Sequence, residues 1–334
     1  MPVRLTSLSA VVAMTLAFAP AAMAASRGLT LQDVNAAEFA KPTAKASQAV
    51  NIKAQVLLDR AGLSPGAIDG RDSDNFENAL RGFQKKNALG ETGKLDKTTW
   101  DKLTQSSEPA LIEYTITAAD VKGPFAEEIP AKYEDKAKLK RLDYTSAAEM
   151  LAERFHMDEE FLETLNRGKA LDKAGSVVLV ANVNVKPVAL TPKQAGPKAA
   201  KIEVDKGNGI VRVLAKDGAL LAAYPASIGS EEKPAPSGTL KVVRVAHGPT
   251  YTYDPAFKFR GVNADEKLHI AAGPNNPVGS VWIALDQKTY GIHGSSEPSK
   301  VGKVDSHGCV RMTNWDALAL AKMVRKGTVV VFID

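Results

Sequence analysis

Apolar residues recur every three to four positions through the first part of the chain, a spacing that predicts helices. One run contains Ile52 and Val56, a second spans residues 75–86, and a third ends near Trp100. Turns that contain glycine separate the three runs. We therefore predict a small bundle of three helices, with Phe83 and Trp100 in its core rather than on a ligand-binding surface.

A second unit follows, in which two helices precede a strand. Ser146 and Glu149 have the spacing of a capping box, which marks the start of the first helix. The second helix is predicted over residues 158–166, and residues 176–185 are rich in β-branched side chains. His156 lies at the end of the first helix, where we expect a surface or capping residue.

The pattern changes after a connector, residues 186–201, that is rich in proline, lysine and alanine and is predicted to be an extended spacer. Beyond it, short runs with the composition of strands recur to the end of the chain. These runs are 210–215, 220–228, 239–245, 281–285 and 328–333. One helix is predicted over residues 315–325, with Asn314 as its N-cap. The last part of the chain is therefore expected to be a mainly β domain.

The N-terminus has a different composition from the rest. Arg4 is the only charged residue among the first two dozen, and an apolar run over residues 8–18 precedes the sequence Ala22-Met23-Ala24. This pattern is typical of a secretory signal peptide, predicted over residues 1–24, because the apolar run is too short to cross a bilayer. The alternatives are a buried N-terminal helix and a membrane anchor. We expect an extracytoplasmic mature protein without a transmembrane segment.

Charge and cysteine content exclude two further classes of protein. Lys and Arg total 43 against 38 Asp and Glu, which gives a formal net charge of +5 over 334 residues. So small an excess does not favour a nucleic-acid partner. The single cysteine excludes a scaffold held by disulfides, although thiols outside the cytoplasm normally pair. An unpaired thiol in that compartment requires an explanation.

That cysteine, Cys309, lies in the motif Ser-His-Gly-Cys-Val-Arg, and His293 precedes it by 16 residues. A thiol becomes an effective nucleophile when a nearby base or cation holds it as thiolate, and an imidazole can do so. The carbonyl of Gly294 could fix the tautomer of that imidazole as the third member of a triad. These three residues are the candidate catalytic group.

The neighbouring residues of the motif favour supporting roles. Gly308 leaves room for main-chain N–H groups to face an oxyanion, and Arg311 could pair with a substrate carboxylate. From the residues alone, Cys309 could instead be a small buried hydrophobe, His307 and Cys309 metal ligands, and Arg311 a surface ion-pair residue. The chain has five histidines and no spacing typical of zinc, so we expect neither metal nor cofactor.

On this motif and its upstream histidine, residues 202–334 resemble the catalytic domain of the L,D-transpeptidases, the YkuD family. The family signature is a histidine followed by Ser/Thr-His-Gly-Cys, an apolar residue and then Arg or Asn. Residues 227–229, 234–238 and 327–330 supply further matches. The resemblance implies a thiol acyltransferase that acts on the peptide stems of peptidoglycan.

The same resemblance implies a role for each motif residue. Cys309 would attack the carbonyl of the third residue of a donor tetrapeptide stem and expel the terminal D-alanine. His293 would be the general base and the Gly294 carbonyl its orienting group. Ser306, His307 and Gly308 would form the oxyanion site and its surroundings. An amine would resolve the thioester; it could come from a second stem, which gives a 3-3 cross-link, from a wall-attached lipoprotein or from a free D-amino acid.

Two N-terminal resemblances point to the same substrate. Residues 45–105 resemble the peptidoglycan-binding type 1 domain, through Leu58 and Gly62, residues 68–70, residues 79–84 and residues 97–103. Residues 114–185 are similar to a divergent LysM carbohydrate-binding module, through Leu162, Leu165, Asn166 and residues 175–182. They imply stem peptides and glycan as partners and a periplasmic, wall-associated location.

The resulting prediction is a multidomain α+β protein. It combines a small N-terminal helical bundle with a mainly β catalytic domain of the YkuD type at the C-terminus. Two alternatives to transpeptidation stay open: an L,D-peptidase of the same fold that transfers the acyl group to water, and a cell-wall binding protein without activity.

Overall fold

The structure is a computed structural model that describes residues 1, 28–39, 44–105, 108–183, 198–230, 233–257, 262, 264–304, 306 and 308–334. Apart from Met1, the predicted signal peptide lies outside the described residues. Most of the predicted connector, residues 186–197, also lies outside them, as does His307. Among the helices that are described, none combines the length and the apolar character that crossing a membrane requires.

α-Helices dominate the described chain up to residue 165, and one more lies near the C-terminus; two short 3-10 helices span Pro255–Phe257 and Pro298–Lys300. The α-helices are α1 (Leu31–Asn35), α2 (Ala44–Arg60), α3 (Asp74–Lys86), α4 (Lys97–Leu103), α5 (Ala118–Lys122), α6 (Tyr133–Lys136), α7 (Ala147–Arg154), α8 (Glu159–Leu165) and α9 (Asn314–Met323). Ser146 caps α7, as predicted, while the Glu149 carboxylate bonds to the Thr145 N–H. The N-cap of α9 is Thr313 rather than Asn314, because the Thr313 hydroxyl accepts the Asp316 N–H.

Strands form three sheets in the described part of the chain. They are β1 (Leu111–Thr115), β2 (Val177–Ala181), β3 (Lys201–Asp205), β4 (Ile210–Leu214), β5 (Leu220–Pro225), β6 (Ser227–Ile228), β7 (Gly238–His247), β8 (Tyr251–Tyr253), β9 (Leu268–Ile270), β10 (Val281–Leu285), β11 (Gly291–His293), β12 (Val310–Arg311) and β13 (Val329–Ile333). The largest sheet has the order β5-β4-β3-β13-β7-β10-β11-β12-β6. The strands β1 and β2 form one small sheet, and β8 and β9 form another.

The N-terminal helices α2, α3 and α4 enclose a core of their own, as the helical spacing predicts. Phe76, Phe83 and Trp100 are all buried in it. The same core includes Leu220 and Ala223 from β5, so the bundle packs directly on the C-terminal sheet. The predicted helical unit therefore shares its core with the C-terminal unit and is not structurally separate from it.

The middle unit has one strand more than the sequence predicts. The strand β1 pairs with β2 in antiparallel register, from Leu111 opposite Ala181 to Thr115 opposite Val177. The helices α7 and α8 lie between these two strands in the chain and share their core. In β1 only Leu111 is buried, and a strand of five residues with one buried apolar side chain carries too weak a pattern for detection by periodicity.

The C-terminal unit is built on the large sheet, which confirms the predicted α+β class with a mainly β C-terminal domain. Its core combines Ile202, Ile283 and Val330 from the strands with Ala317 and Leu320 from α9. Most strand pairs are antiparallel, and two are parallel: β13 with β3, and β11 with β12. The second of these positions the candidate site.

Candidate active site

The parallel pair β11–β12 brings the predicted catalytic residues together. Ile292 lies opposite Val310 and His293 lies opposite Arg311, which sets Cys309 beside the start of β11. The Met312 N–H donates to the His293 carbonyl at 2.8 Å and extends this ladder. His293 and Cys309, which are 16 residues apart in the sequence, therefore lie near each other at the paired strands β11 and β12.

The imidazole of His293 has one defined tautomer. Its Nδ1 lies 2.7 Å from the Gly294 carbonyl oxygen, and a carbonyl can only accept, so Nδ1 carries the proton. Its Nε2 is left with a lone pair. The ring is buried and stacks on Trp282, with centroids 5.5 Å apart. Burial lowers the pKa of His293 to about 4, against the Gly294 hydrogen bond, so the imidazole is neutral at pH 7.

The thiol of Cys309 is also in its neutral form. Burial raises its pKa above the ordinary 9.0, and this effect outweighs the Gly291 backbone and the Lys233 charge, both of which lower it. Among the described residues, Sγ donates to the Thr289 carbonyl at 3.5 Å rather than to His293. The sequence argument expects a thiolate held by a neighbouring base; the structure instead holds a neutral thiol and a neutral base.

Ser306 fixes the loop that carries Cys309. Its hydroxyl donates to the Cys309 carbonyl at 2.5 Å and accepts the Gly229 N–H at 2.7 Å, while its own N–H donates to the Gly229 carbonyl at 2.9 Å. Gly308 has φ +92°, and a Cβ there would lie 2.9 Å from the Lys233 side chain. The turn therefore requires glycine. His307 lies outside the described residues.

Arg311 lies on β12, two residues after Cys309, and lines the same cavity. Its Nη2 donates to the Ser227 hydroxyl at 3.4 Å and to the Val304 carbonyl at 3.5 Å. Its charge also contributes to the low pKa of His293.

A cavity of about 670 Å³ joins these groups. Of the predicted site residues, Cys309, His293, Ser306 and Arg311 line it. Gly294 and Gly308 adjoin His293 and Cys309 in the chain. The sequence reasoning missed other lining residues, among them Tyr133, Lys136, Lys233, Arg244, Tyr251, Trp282 and Thr289. In the described part of the chain, no cluster of three or more His, Cys, Asp or Glu side chains could hold a metal ion.

A buried amide and carboxyl pair supports Gly294 from behind. A Cβ on Gly294 would lie 2.2 Å from Asn314 Oδ1, which accepts the Ser280 N–H at 2.9 Å. The Asn314 Nδ2 donates to both carboxyl oxygens of Glu153, each at 3.0 Å. Burial raises the pKa of Glu153 to about 8. Glu153 belongs to α7, so the middle unit contacts Asn314, and Asn314 packs against Gly294.

Comparison with known families agrees with this geometry. Residues 199–332 match the family model of the L,D-transpeptidase catalytic domain, YkuD. Residues 52–103 match the family model described as a "putative peptidoglycan binding domain". Both resemblances predicted from the sequence are confirmed, while the LysM-like character of the middle unit stays a prediction.

Individual relatives match about a third of the chain or less. A "putative L,D-transpeptidase YkuD" of Bacillus licheniformis is 40% identical over 89 residues, which are 27% of this chain and 50% of that protein. A "probable L,D-transpeptidase YbiS" of Escherichia coli is 37% identical over 115 residues, 33% of this chain and 37% of that protein. The chain thus spans half or less of the length of these two relatives.

Solved structures include the catalytic domain of an L,D-transpeptidase from E. faecium, determined by NMR. It is 23% identical to this chain, with a TM-score of 0.32, and the match covers 42% of this chain and 99% of that one.

Proposed function

Taking residues 199–332 as a YkuD-type L,D-transpeptidase catalytic domain, we propose that this chain is a cysteine-dependent acyltransferase of peptidoglycan. Its donor is a tetrapeptide stem, its first product is D-alanine, and its second product is a 3-3 cross-link. The signal-peptide pattern at the N-terminus supports action in the periplasm. The match of residues 52–103 to a peptidoglycan-binding family supports attachment of the protein to the wall.

In the first step, Cys309 Sγ attacks the carbonyl carbon of the third stem residue. The thiol proton passes to Nε2 of His293, the nitrogen that the Nδ1–H···O=C hydrogen bond leaves bare. The tetrahedral intermediate then collapses, the C–N bond to D-alanine breaks, and His293 returns the proton to the leaving amine. A thioester remains on Cys309.

In the second step, the amine of an acceptor stem attacks the thioester. His293 takes a proton from that amine, the C–S bond breaks, and the thiolate of Cys309 recovers the proton. The neutral resting pair suits this cycle, because the base can accept a proton in both half-reactions. Water in place of the amine would give hydrolysis to a tripeptide.

Other motif residues bind or hold the reacting groups. Backbone N–H groups at Gly308 and Cys309 bind the oxyanion, and the positive φ of Gly308 supports a turn at this position. Arg311 binds a carboxylate of the stem. Ser306 is a positioning residue through its hydrogen bonds to Cys309 and Gly229. His307 contributes to the surroundings of the oxyanion, as the family motif implies.

The observation that carries the proposal is the shared cavity of His293 and Cys309, with the imidazole tautomer fixed by Gly294. The only cysteine of the chain lines the same cavity as this imidazole. A module that only binds the wall would gain nothing from this arrangement.

The direct test incubates the mature chain with a disaccharide-tetrapeptide and identifies the products by mass spectrometry, with Cys309→Ala as control. A dimer that has lost one alanine is expected, together with a thioester adduct on Cys309. Free tripeptide without dimer would support the hydrolytic alternative. A wild-type protein that releases no alanine and forms no adduct would refute both enzymatic functions.

A further inference from the structure

The cavity at Cys309 is not built by the catalytic unit alone. Its lining includes Tyr133 and Lys136, which begin and end the short helix α6 of the middle unit. No feature of the C-terminal sequence could reveal this wall, because α6 lies far upstream in the chain. The middle unit thus contributes side chains to the cavity that holds the nucleophile.

Aromatic contacts hold α6 against the catalytic unit. The ring of Tyr133 meets Tyr251 edge to face, with centroids 5.9 Å apart, and Tyr253 at 6.1 Å. Tyr253 is fully buried, and Tyr251 lines the cavity. Edge-to-face aromatic pairs at this spacing are attractive. The position of α6 is therefore defined by packing on β8 and not only by its own chain connections.

A second contact fixes the segment that follows α6. The Leu142 N–H donates to the Ala272 carbonyl at 3.0 Å, and the Asn275 N–H donates to the Leu142 carbonyl at 3.0 Å. The side chain of Asn275 donates to Glu149 at 2.7 Å. A Cβ on Gly273 would lie 2.0 Å from the Leu142 oxygen, so the two backbones are in direct contact. The middle unit is seated on the loop that leads into β10.

Lys136 brings a positive charge into this cavity. It is half-buried, with Nζ 5.6 Å from the centroid of the Tyr133 ring. Burial lowers the pKa of Lys136, and the charge of Glu297 opposes that shift. No carboxylate of the described residues forms an ion pair with Lys136.

The two carboxylates that line the cavity already form ion pairs with lysines. Asp254 pairs with Lys267 at 2.9 Å, and Glu297 pairs with Lys300. The other charged lining residues are Lys136, Lys233, Arg244 and Arg311, all cationic. A partly desolvated ammonium in such a cavity favours an anionic ligand.

We propose that α6 is a substrate-binding element of the catalytic groove, in which the Lys136 ammonium pairs with a carboxylate of the peptide stem. This inference rests on the proposed function, because it takes the stem as the ligand. A tetrapeptide stem carries a carboxylate on its terminal D-alanine and others on its acidic and diamino-acid residues. The middle unit would then recognise peptide at the groove, whatever else it binds.

The test measures binding and does not depend on turnover. Calorimetric titration of disaccharide-tetrapeptide into the full mature Cys309→Ala chain gives the parent Kd. Adding Lys136→Met is expected to weaken binding about tenfold, because a charge-assisted pair is lost. Lys136→Arg should bind within a few-fold of the parent. Lys138→Met is the matched control, because Lys138 is exposed and pairs with Asp135 outside the cavity.

Amidated stems then identify the carboxylate. A stem amidated at the terminal D-alanine and a stem amidated at an internal carboxylate are titrated separately. The stem that lacks the carboxylate bound by Lys136 should bind the parent about tenfold more weakly and lose nothing further with Lys136→Met. Thermal unfolding of each variant shows whether it is folded.

The outcomes separate this inference from the proposed function. If Lys136→Met binds every stem as tightly as Lys138→Met does, the inference is wrong, whether or not the wild type releases D-alanine. If Lys136→Met weakens binding selectively while the wild type releases no D-alanine, the subsite stands and the activity fails. A stem that does not bind the parent at all refutes both.

Discussion

At the scale of single residues, the neutral pair of Cys309 and His293 determines how the site responds to pH. Because burial raises the pKa of the Cys309 thiol above 9.0, thiolate should form only at high pH. Alkylation of the free protein by iodoacetamide should therefore accelerate steadily through pH 9, without a plateau between pH 5 and 8. A plateau in that range would indicate a thiolate–imidazolium pair and contradict the neutral resting state. Cys309→Ala, which has no thiol, is the blank.

The same neutrality separates two effects of His293. Replacing His293 with Ala should leave the alkylation rate at pH 8 close to that of the wild type, since the neutral ring does not hold a thiolate. Release of D-alanine should fall by about 10²–10⁴-fold, the usual contribution of a general base. Equal losses in both assays would show that His293 acts by activating the resting thiol.

Gly294 is predicted to tolerate no side chain. The Cβ of a Gly294→Ala variant would lie 2.2 Å from Asn314 Oδ1 and 3.2 Å from the Ser280 nitrogen, so the backbone must move. The carbonyl that fixes the His293 tautomer would move with it, and we expect kcat to fall by about 100-fold. The control is Gly90→Ala, whose Cβ would meet nothing within 4 Å. Wild-type kcat in Gly294→Ala would contradict the positioning role of this carbonyl.

The sequence predicts that Cys309 and His293 lie together, as the structure shows, because both belong to short motifs with fixed spacing. It predicts the cavity walls less well. Tyr133 and Lys136 reach the site only through the packing of the middle unit, and no local pattern marks such residues. The protonation states are also missed, because the burial that sets the pKa values of Cys309 and His293 is a property of the folded chain.

At the scale of elements, the pairing of strands, rather than the amino-acid composition of each strand, determines which residues lie at the site. The run 281–285 is predicted with the bounds of β10, because five apolar or alternating residues carry a clear pattern. The strands β11 and β12 have three and two residues, too few for any periodicity, and they are the ones that bring His293 to Cys309. Fold class was therefore predictable, and the strand neighbours of the site were not.

The contact between α7 and α9 makes stability depend on pH. The pKa of Glu153 is raised by burial to about 8, so the folded chain retains a proton that the unfolded chain loses near 4.5. The free energy of unfolding should decrease as pH rises from about 4.5 to 8. Asp316, raised by burial to about 7, adds to the same trend.

Replacing Glu153 with Gln keeps the shape of the protonated side chain and removes its ionisation. Urea denaturation at pH 5 and pH 8 should show a smaller loss of stability in Glu153→Gln than in the wild type. Glu163→Gln, on the exposed face of α8, should retain the full loss. A variant whose stability still falls as steeply as that of the wild type would show that Glu153 is not the buried acid responsible.

At the scale of the whole molecule, the three units meet at one buried junction. His156 bonds to Asp59 of α2 at 2.9 Å and stacks on Trp315 of α9, with centroids 5.1 Å apart. The backbone of His156 also closes the end of α7, as expected of a capping residue, because its φ is +55° and its N–H donates to the Glu153 carbonyl at 3.2 Å. Burial lowers the pKa of His156, but the charge and hydrogen bond of Asp59, together with the charges of Asp316 and Glu153, raise it above its ordinary value. Separate resemblances along a sequence do not reveal such joint packing, because each family pattern records only its own core.

This joint packing predicts a single unfolding transition. Leu63 is fully buried in the core that the N-terminal helices share with β5, and its backbone bridges to Ala223. Leu63→Ala should cost about 2–5 kcal/mol of unfolding free energy, the usual range for a buried leucine. In calorimetry the whole transition should shift to lower temperature as one peak, because the helical bundle and the C-terminal sheet unfold together.

Val177→Ala, at a side chain that is 40% exposed, is the control and should change stability by less than about 0.5 kcal/mol. Two resolved peaks, with only one moved by Leu63→Ala, would show that the bundle and the catalytic unit unfold independently.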